Sequence, residues 1–184
     1  MDMKIPKYIF SFDAESDGLA GESFAIGAIV IDWQGVIVEK FTAIAEAESV
    51  TNHWVQTNVL PHLQNLKVYS SKKEMREAFW QFWMKYKNES LALADIGVPV
   101  EANLLNTCIH DDLDAREFQG PYPLYDLSAF LLIAGHHPID LQRKIFVDRT
   151  DLMEHNPLDD ALATALTLIK IQNETNILNL KKQN

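Results

Sequence analysis

The sequence predicts a single mixed α/β domain in which an antiparallel meander is followed by alternating helices and strands. Two patterns indicate this class. Residues 7–13, 23–32 and 36–45 are strand-like and joined by short connections, which is typical of a meander. Beyond residue 70, helical periodicity alternates with short apolar segments, as in sheets that contain parallel strands. A length of 184 residues with 47% hydrophobic content is sufficient to bury a substantial core.

The three opening strands are predicted from residue type and from one clear turn. Aromatic and β-branched residues dominate the first segment, and the next two are rich in Ile, Val, Phe and Ala. Residues 32–35 (Asp-Trp-Gln-Gly) separate the second and third segments and have the composition of a turn. Residues 51–66 are mixed in character, and Pro61 interrupts any long helix there.

A helix is predicted to begin at Ser70-Ser71, because these residues followed by Glu74 resemble a capped helix start. Apolar residues then recur at helical spacing, and they are Met75, Ala78, Phe79, Phe82 and Trp83. We interpret these aromatic rings, with Trp80, as helix packing rather than as a surface on which bases stack. Residues 91–94 form a candidate buried strand that ends at Asp95.

The second half of the chain continues the alternation of helices and strands. A helix is predicted over residues 99–109, with Pro99 in its first turn, and another opens at Asn156-Pro157. The segments between them are a polar surface loop over 111–123, a short strand over 122–125, a helix over 128–134 and an irregular crossing with basic residues over 136–150.

Composition favours one cytoplasmic domain. No repeat or linker divides the chain, so we predict a core over about residues 7–173 followed by a short polar C-terminal tail. No apolar run is long enough to cross a bilayer, and the N-terminus lacks a secretory pattern. Cys108 is the one cysteine, so an internal disulfide is impossible and a reducing compartment is expected. Its apolar neighbours indicate a core residue rather than a nucleophile.

The formal net charge of −10 argues against a protein that holds nucleic acid by bulk electrostatics. It leaves a nucleic-acid enzyme open, because carboxylates gathered around divalent cations lower the formal charge while the bound cations reverse the local field. Global charge therefore does not decide between these classes.

Acidic residues stand where three predicted elements end or begin. Asp13 and Glu15 alternate along the first strand, so their side chains share one face. Asp95 follows the fourth strand, and Asp160 lies in the first turn of the final helix, shortly after His155. Like charges on one face repel unless cations hold them together. The alternative is an acidic turn, a strand-end acid and a surface histidine with no common role.

Two segments resemble the motifs of the DEDD superfamily of 3′–5′ exonucleases, in its histidine-bearing (DEDDh) branch. Asp-Ala-Glu at residues 13–15, with Gly-Leu at 18–19, resembles the first motif, and Ile-Gly-Ala at 26–28 continues as its second strand does. Residues 155–165 resemble the last motif, His-x4-Asp. The resemblance spans about residues 8–172 and implies a ribonuclease H-like fold. It also implies metal-dependent hydrolysis at nucleic-acid 3′ ends that releases nucleoside 5′-monophosphates.

The resemblance assigns a role to each site residue. Asp13 would bridge two Mg²⁺ or Mn²⁺ ions, Glu15 and Asp160 would complete one ion's site, and Asp95 would support the other through water. His155 would take the proton from the attacking water. Main chain around Ser16, Gly18 and Leu19 would contact the terminal nucleotide, with Leu19 packing against its base.

The resemblance also implies partners. The substrate would be single-stranded or 3′-overhanging RNA or DNA, with a small exoribonuclease as one version of this enzyme. A homodimer is plausible, because members of the family often pair. The alternative in another class is a catalytically degenerate nuclease fold that serves as a binding or interaction module.

Several positions keep two interpretations. Residues 94–101 take the place of the family's Asn-x-x-x-Phe-Asp segment, and Glu101 there either assists the site or starts a helix, which we favour. The family spacing selects Asp160 rather than Asp159. The acids between His110 and Asp114 are interpreted as a solvated loop and His136-His137 as loop. The remaining basic candidates, which either meet phosphate or lie in a solvated turn, are Arg143, Lys144 and Arg149.

Overall fold

The computed structural model describes residues 6–176 and 178, which fold around a mixed sheet. The strands of these residues are β1 (Tyr8–Ser16), β2 (Ser23–Asp32), β3 (Ile37–Ile44), β4 (Ser90–Ala94) and β5 (Tyr125–Asp126). They lie in the order β3-β2-β1-β4-β5. β1 pairs antiparallel with β2 and β2 with β3, whereas β4 is parallel to β1 and β5 is parallel to β4. The predicted mixed sheet with an antiparallel opening is confirmed.

Helices cover both faces of this sheet. They are α1 (His53–Asn58), α2 (Lys72–Tyr86), α3 (Val100–His110), α4 (Leu113–Arg116), α5 (Leu127–Ile133), α6 (Arg143–Phe146) and α7 (Pro157–Thr175), with short 3₁₀ turns at Ala47–Ser49 and Leu60–His62. In the described part of the chain, none of these helices has the length and apolar character needed to cross a membrane.

Some predicted boundaries were wrong. The first strand continues past residue 13, because its pairing with β2 extends to Ser16. The short strand predicted over 122–125 is limited to Tyr125–Asp126, where the backbone pairs with β4; Pro123 has no N–H with which to extend that ladder. Helices α4 and α6 lie in segments predicted as loop and irregular crossing. The polar tail predicted after residue 173 lies outside the described residues beyond α7, except residue 178.

Alternation along β1 divides the core into two layers. Phe10 and Phe12 face α2 and α3, where they pack with Met75, Phe79 and Trp83. These α2 rings are buried, so their interpretation as helix packing is confirmed. Cys108 is buried in the same layer, where burial raises the pKa of its thiol to about 12, in keeping with the predicted core role.

The opposite layer is covered mainly by α7. Ile9 and Ile29 face that helix and pack with apolar residues of its inner face, including Ala161, Ala165 and Leu168. Odd-numbered residues of β1 point to this side, so Asp13 and Glu15 continue the row that begins with Ile9. The two acids therefore project toward the end of the sheet at which α7 starts.

The start of α7 lies directly on the sheet. Asn156 caps the helix by accepting a hydrogen bond from the Leu158 N–H, and Pro157 occupies a first-turn position. Gly27 of β2 lies beneath this turn, because a Cβ there would come 2.1 Å from the Leu158 nitrogen. Gly27 pairs with Asp13 across the sheet. The absence of a side chain at Gly27 thus lets the helix start reach the first-strand acids.

Gly27→Ala should lower the free energy of unfolding by about 1–3 kcal/mol, the usual effect of overpacking. The added methyl group meets backbone of α7, which cannot rotate away as a flexible side chain can. Chemical denaturation measures the change. Gly120→Ala is the control, because its Cβ would approach side-chain atoms no closer than 3.4 Å. Equal stability of the two variants would contradict the close approach at Gly27.

Candidate active site

One cavity of about 560 Å³ collects the predicted acids and histidine. Three separate parts of the chain supply them: the end of β1, the residue after β4, and the start of α7. Strand β1 lies between β2 and β4 in the sheet, and α7 packs over it, so segments far apart in sequence meet here. The predicted residues that line the cavity are Asp13, Glu15, Asp95, His155, Asp160 and Leu19.

The two acids of β1 are poorly solvated. Burial raises the pKa of Asp13 well above its ordinary value, and the nearby carboxylates of Asp160 and Glu15 raise it further. Burial, with repulsion from Asp160 and Glu101, raises the pKa of Glu15 from 4.5 to about 8. The ionised forms of these acids are therefore unstable on their own, and a bound cation would stabilise them.

Asp160 and His155 enter from the α7 side. Burial raises the pKa of Asp160 to about 7, although its carboxylate accepts a hydrogen bond from the backbone N–H of His155, which lowers that pKa. The adjacent Asp159 instead accepts a bond of 3.0 Å from the Met153 N–H and does not line the cavity. The structure therefore places Asp160, the residue selected by spacing, at the site.

The His155 ring is partly buried at the edge of this group. Its backbone is left-handed, with φ of 60°, and its Nδ1 lies 3.9 Å from Oε1 of Glu15. The Trp54 ring packs edge-on against it, with the two centroids 5.6 Å apart. Burial lowers the pKa of His155, which favours the neutral imidazole that a general base requires.

Asp95 reaches the cavity already paired with a cation. Its Oδ1 accepts a hydrogen bond of 3.0 Å from Nε of Arg143 and lies 2.8 Å from Nη2 of the same guanidinium. Burial raises the pKa of Asp95, and the Arg143 guanidinium opposes that shift. Lys144 also lines the cavity, whereas Arg149 pairs with Asp151 and lies outside the lining. The sequence allowed two interpretations for each of these basic residues, either phosphate binding or a place in a solvated turn.

Glu101 lies at the site as well as at a helix start, so the two interpretations kept for it are not alternatives. It occupies the first turn of α3, is only 6% exposed and lines the cavity. Its carboxylate accepts hydrogen bonds from its own N–H and from the Ala14 N–H, between the two acids of β1. Burial raises its pKa to about 7 despite those bonds. No pattern in the sequence indicates this contact between the start of α3 and β1.

Only some of the predicted residues in the segment after Glu15 line the cavity. Leu19 lies at the cavity and is 71% exposed. The buried Ser16 hydroxyl donates a 2.8 Å hydrogen bond to the Gly18 carbonyl, and Gly18 has a left-handed backbone with φ of 76°. Ser16 and Gly18 thus form the turn that presents Leu19 but do not themselves line the cavity. Their contact with a nucleotide stays a prediction.

The acidic loop after α3 was predicted to be solvated, which is wrong for one member. The guanidinium of buried Arg76 binds Asp111, with Nε 2.6 Å from Oδ2 and Nη2 3.0 Å from Oδ1. Asp112 caps α4, and Asp114 is exposed. An ion pair therefore joins the loop to α2. The sequence pattern did not indicate this contact.

The donor set of the cavity fits a divalent cation. Ligand atoms of Glu15, His155 and Asp160 all lie within 4.8 Å of one another. Asp13 and Asp95 add carboxylate oxygens to the same cavity. Hard ions such as Mg²⁺ and Mn²⁺ prefer carboxylate oxygen. The arrangement can therefore hold such ions beside a neutral imidazole.

Comparison with known proteins shows likeness in structure rather than in sequence. No protein-family model and no curated protein matches the chain. Among solved structures, the nuclease domain of 3′hExo, a DEDDh family member bound to rAMP, aligns with a TM-score of 0.58 at 11% identity, over 92% of this chain and 94% of that chain. A 3′-exonuclease solved for 3′-end-specific recognition of histone mRNA stem-loop aligns with a TM-score of 0.58 at 10% identity, covering 95% of this chain and 83% of that chain.

Exonuclease I from Methylocaldum szegediense aligns with a TM-score of 0.67 at 12% identity, over 93% of this chain but only 41% of that chain. Together these likenesses define the class of fold, which is that of solved exonucleases. The chain has the ribonuclease H-like α/β fold of the DEDDh exonucleases, as its first and last motifs predicted.

Proposed function

We propose that this protein is a divalent-metal-dependent 3′–5′ exonuclease that releases nucleoside 5′-monophosphates from nucleic-acid ends. The observation that supports it best is the convergence of Asp13, Glu15, Asp95, Asp160 and His155 at one cavity on a DEDDh exonuclease fold. Their chain order and residue types match the motifs that the sequence shares with that group. An accidental cluster of buried acids would be costly without a cation to hold them together.

Each residue has a role that its surroundings support. Asp13, Glu15, Asp95 and Asp160 would hold two ions, Mg²⁺ or Mn²⁺. Such ions activate water and stabilise the departing oxygen in phosphodiester hydrolysis. His155, kept neutral by its lowered pKa, would accept the proton of the attacking water.

The substrate we propose is the 3′ end of single-stranded or 3′-overhanging RNA or DNA. The cavity opens between exposed apolar side chains, among them Leu19, Val98 and Ile139. Apolar groups beside a cation site suit a terminal nucleotide, whose base is flat and whose phosphate is charged. Two structural neighbours support a nucleic-acid ligand, because one was solved for recognition of a histone mRNA stem-loop and another with rAMP.

Degradation of end-labelled RNA and DNA tests the proposal. Single strands, blunt duplexes and 3′-overhanging duplexes are incubated with protein and Mg²⁺ or Mn²⁺, and the products are identified by mass. We expect stepwise shortening from the 3′ end with nucleoside 5′-monophosphates as products. Internal cuts or 3′-monophosphates would contradict the mechanism. Binding of oligonucleotide and Mn²⁺ without any hydrolysis would indicate a binding module instead.

His155→Ala should lower kcat by about 10²–10⁴, the usual contribution of a general base. Because four carboxylates remain to hold cations, affinity for Mn²⁺ should change much less than kcat. Single-turnover hydrolysis and isothermal titration with Mn²⁺ measure the two effects separately. His136→Ala, in the loop before α6, is the control and should leave both unchanged. A loss confined to Mn²⁺ affinity would make His155 a metal ligand and not the base.

A further inference from the structure

The ion pair between Arg143 and Asp95 is unusual in its position within the candidate site. Asp95 is one of the acids proposed to hold cations, yet its Oδ1 accepts a 3.0 Å hydrogen bond from Nε of Arg143 and forms an ion pair with Nη2 at 2.8 Å. The Arg143 guanidinium also donates to the Leu141 carbonyl, and its side chain is only 10% exposed. A guanidinium therefore occupies the carboxylate that a divalent ion would use.

The surroundings of Arg143 indicate what else it could bind. Arg143 and Lys144 are the Lys or Arg side chains among the described residues that line the cavity. The Lys144 ammonium lies 3.5 Å from Glu154, whereas Arg143 pairs with Asp95, one of the acids proposed to hold cations. A nucleic-acid strand entering an acidic cavity of a chain with net charge −10 needs a cationic partner for its phosphates. Guanidinium groups bind phosphate in a paired, planar geometry.

We propose that Arg143 is a substrate-binding residue with two alternative partners. In the cation-free protein it neutralises Asp95, and when Asp95 is engaged by a divalent cation it binds a phosphodiester of the nucleic acid instead. Repulsion between the guanidinium and a cation at the same carboxylate drives the exchange. This inference rests on the proposed function, because it assumes that Asp95 holds a cation and that the ligand is a polynucleotide.

Oligonucleotide binding tests the phosphate contact without requiring hydrolysis. Affinity of the wild type and of Arg143→Gln for a short fluorescent single strand is measured by anisotropy in Ca²⁺, over a range of salt. We expect the substitution to weaken binding about tenfold or more. The slope of log affinity against log salt should fall by about 0.7, the value for one phosphate contact.

Two further variants make the binding test specific. Arg149→Gln is the matched control, because that side chain pairs with Asp151 outside the cavity, and it should leave affinity and slope unchanged. Arg143→Lys keeps the charge and should restore most of the salt slope. Unchanged affinity and slope in Arg143→Gln would overturn the proposal, as would an equal loss in Arg149→Gln.

Competition for Asp95 is tested with Mn²⁺ alone. Removing the guanidinium should raise Mn²⁺ affinity several-fold in isothermal titration, since the ion no longer displaces a bound cation. In chelator, Arg143→Gln should melt below the wild type because Asp95 loses its partner, and Mn²⁺ should narrow that difference. Weaker Mn²⁺ binding, or a melting deficit that Mn²⁺ leaves intact, would make Arg143 a fixed structural partner. Absence of hydrolysis by the wild type would refute the proposed function and not these binding results.

Discussion

Asp13→Asn should reduce hydrolysis to background while leaving the cation-free protein at least as stable as the wild type. Asp13 lines the cavity, and Asp160 and Glu15 are the charged neighbours that act on it most strongly. Asparagine has nearly the same shape but carries no charge, so it cannot attract cations as a carboxylate does. Loss of a central catalytic group commonly costs at least about 10⁴ in kcat.

The expected stability of Asp13→Asn follows from the burial of the carboxylate that it replaces. In the cation-free protein, burial and neighbouring acids raise the pKa of Asp13 well above its ordinary value, which means that its charged form is destabilised by folding. A neutral amide at this position removes that penalty. The gain should be visible in chelator as a melting temperature equal to or above that of the wild type.

The control for Asp13→Asn is Asp114→Asn, which removes one exposed acid of α4 that does not line the cavity. It changes the net charge by the same amount and should leave hydrolysis unchanged. Residual hydrolysis in Asp13→Asn at even a tenth of the wild-type rate would contradict the central role of Asp13. A sharp fall in melting temperature would instead show that the carboxylate supports the fold.

The cation-free protein should lose several kcal/mol of stability as the pH rises from about 5 to 8. The pKa of Glu15 is about 8 in the folded protein against 4.5 for the ordinary group, and the pKa of Asp160 is about 7 against 3.8. A raised pKa means that the folded state binds the proton more tightly than the unfolded state does. Stability is therefore greatest below the unfolded pKa and is lost as the pH rises through the folded pKa.

The acids whose pKa is lowered act in a lower pH range. Carboxylates with lowered pKa values, such as Asp17, Glu74 and Asp151, add stability as the pH rises, but they are fully ionised above their ordinary pKa values near 4. Glu101 reinforces the loss, since its pKa is raised to about 7. Each pKa unit corresponds to about 1.4 kcal/mol, so this group of buried acids dominates between pH 5 and 8.

Denaturant unfolding in chelator across this range measures the effect. Mn²⁺ should restore stability most strongly at pH 8, where the acids are charged, by binding the folded state. Glu15→Gln should flatten the pH dependence, whereas Glu48→Gln, at an exposed position, should not. If the stability in chelator stayed constant or rose between pH 5 and 8, the folded protein would not raise the pKa of these acids, and the prediction would be wrong.

Much of the candidate site could be predicted because its signals are local. Asp13 and Glu15 share a face through strand alternation alone, and His155 and Asp160 flank a helix start that Asn156 and Pro157 make recognisable. These patterns operate over a few residues, so one segment carries all the information needed. Their resemblance to the DEDDh motifs predicted the fold that the structural comparison shows.

The features of the site and its surroundings that the sequence did not predict depend on contacts between distant segments. Glu101 could be assigned to a helix start from sequence, but its contact with the Ala14 N–H exists only because α3 packs against β1. The Asp111 carboxylate looked solvated, yet Arg76 of α2 binds it from a distant part of the chain. Hydrogen bonds and ion pairs of this kind leave no periodic pattern in the sequence.

The sequence by itself determined which residues carry the acids, the imidazole and the alternation that orders them. Only the tertiary structure decided that these groups meet, because a glycine at residue 27 allows the start of α7 to lie on β2 beside Asp13. It also decided that Arg143 and Glu101 join them. Residue identity sets the chemistry available to a chain, whereas long-range packing sets the distances, and electrostatic interactions depend on those distances.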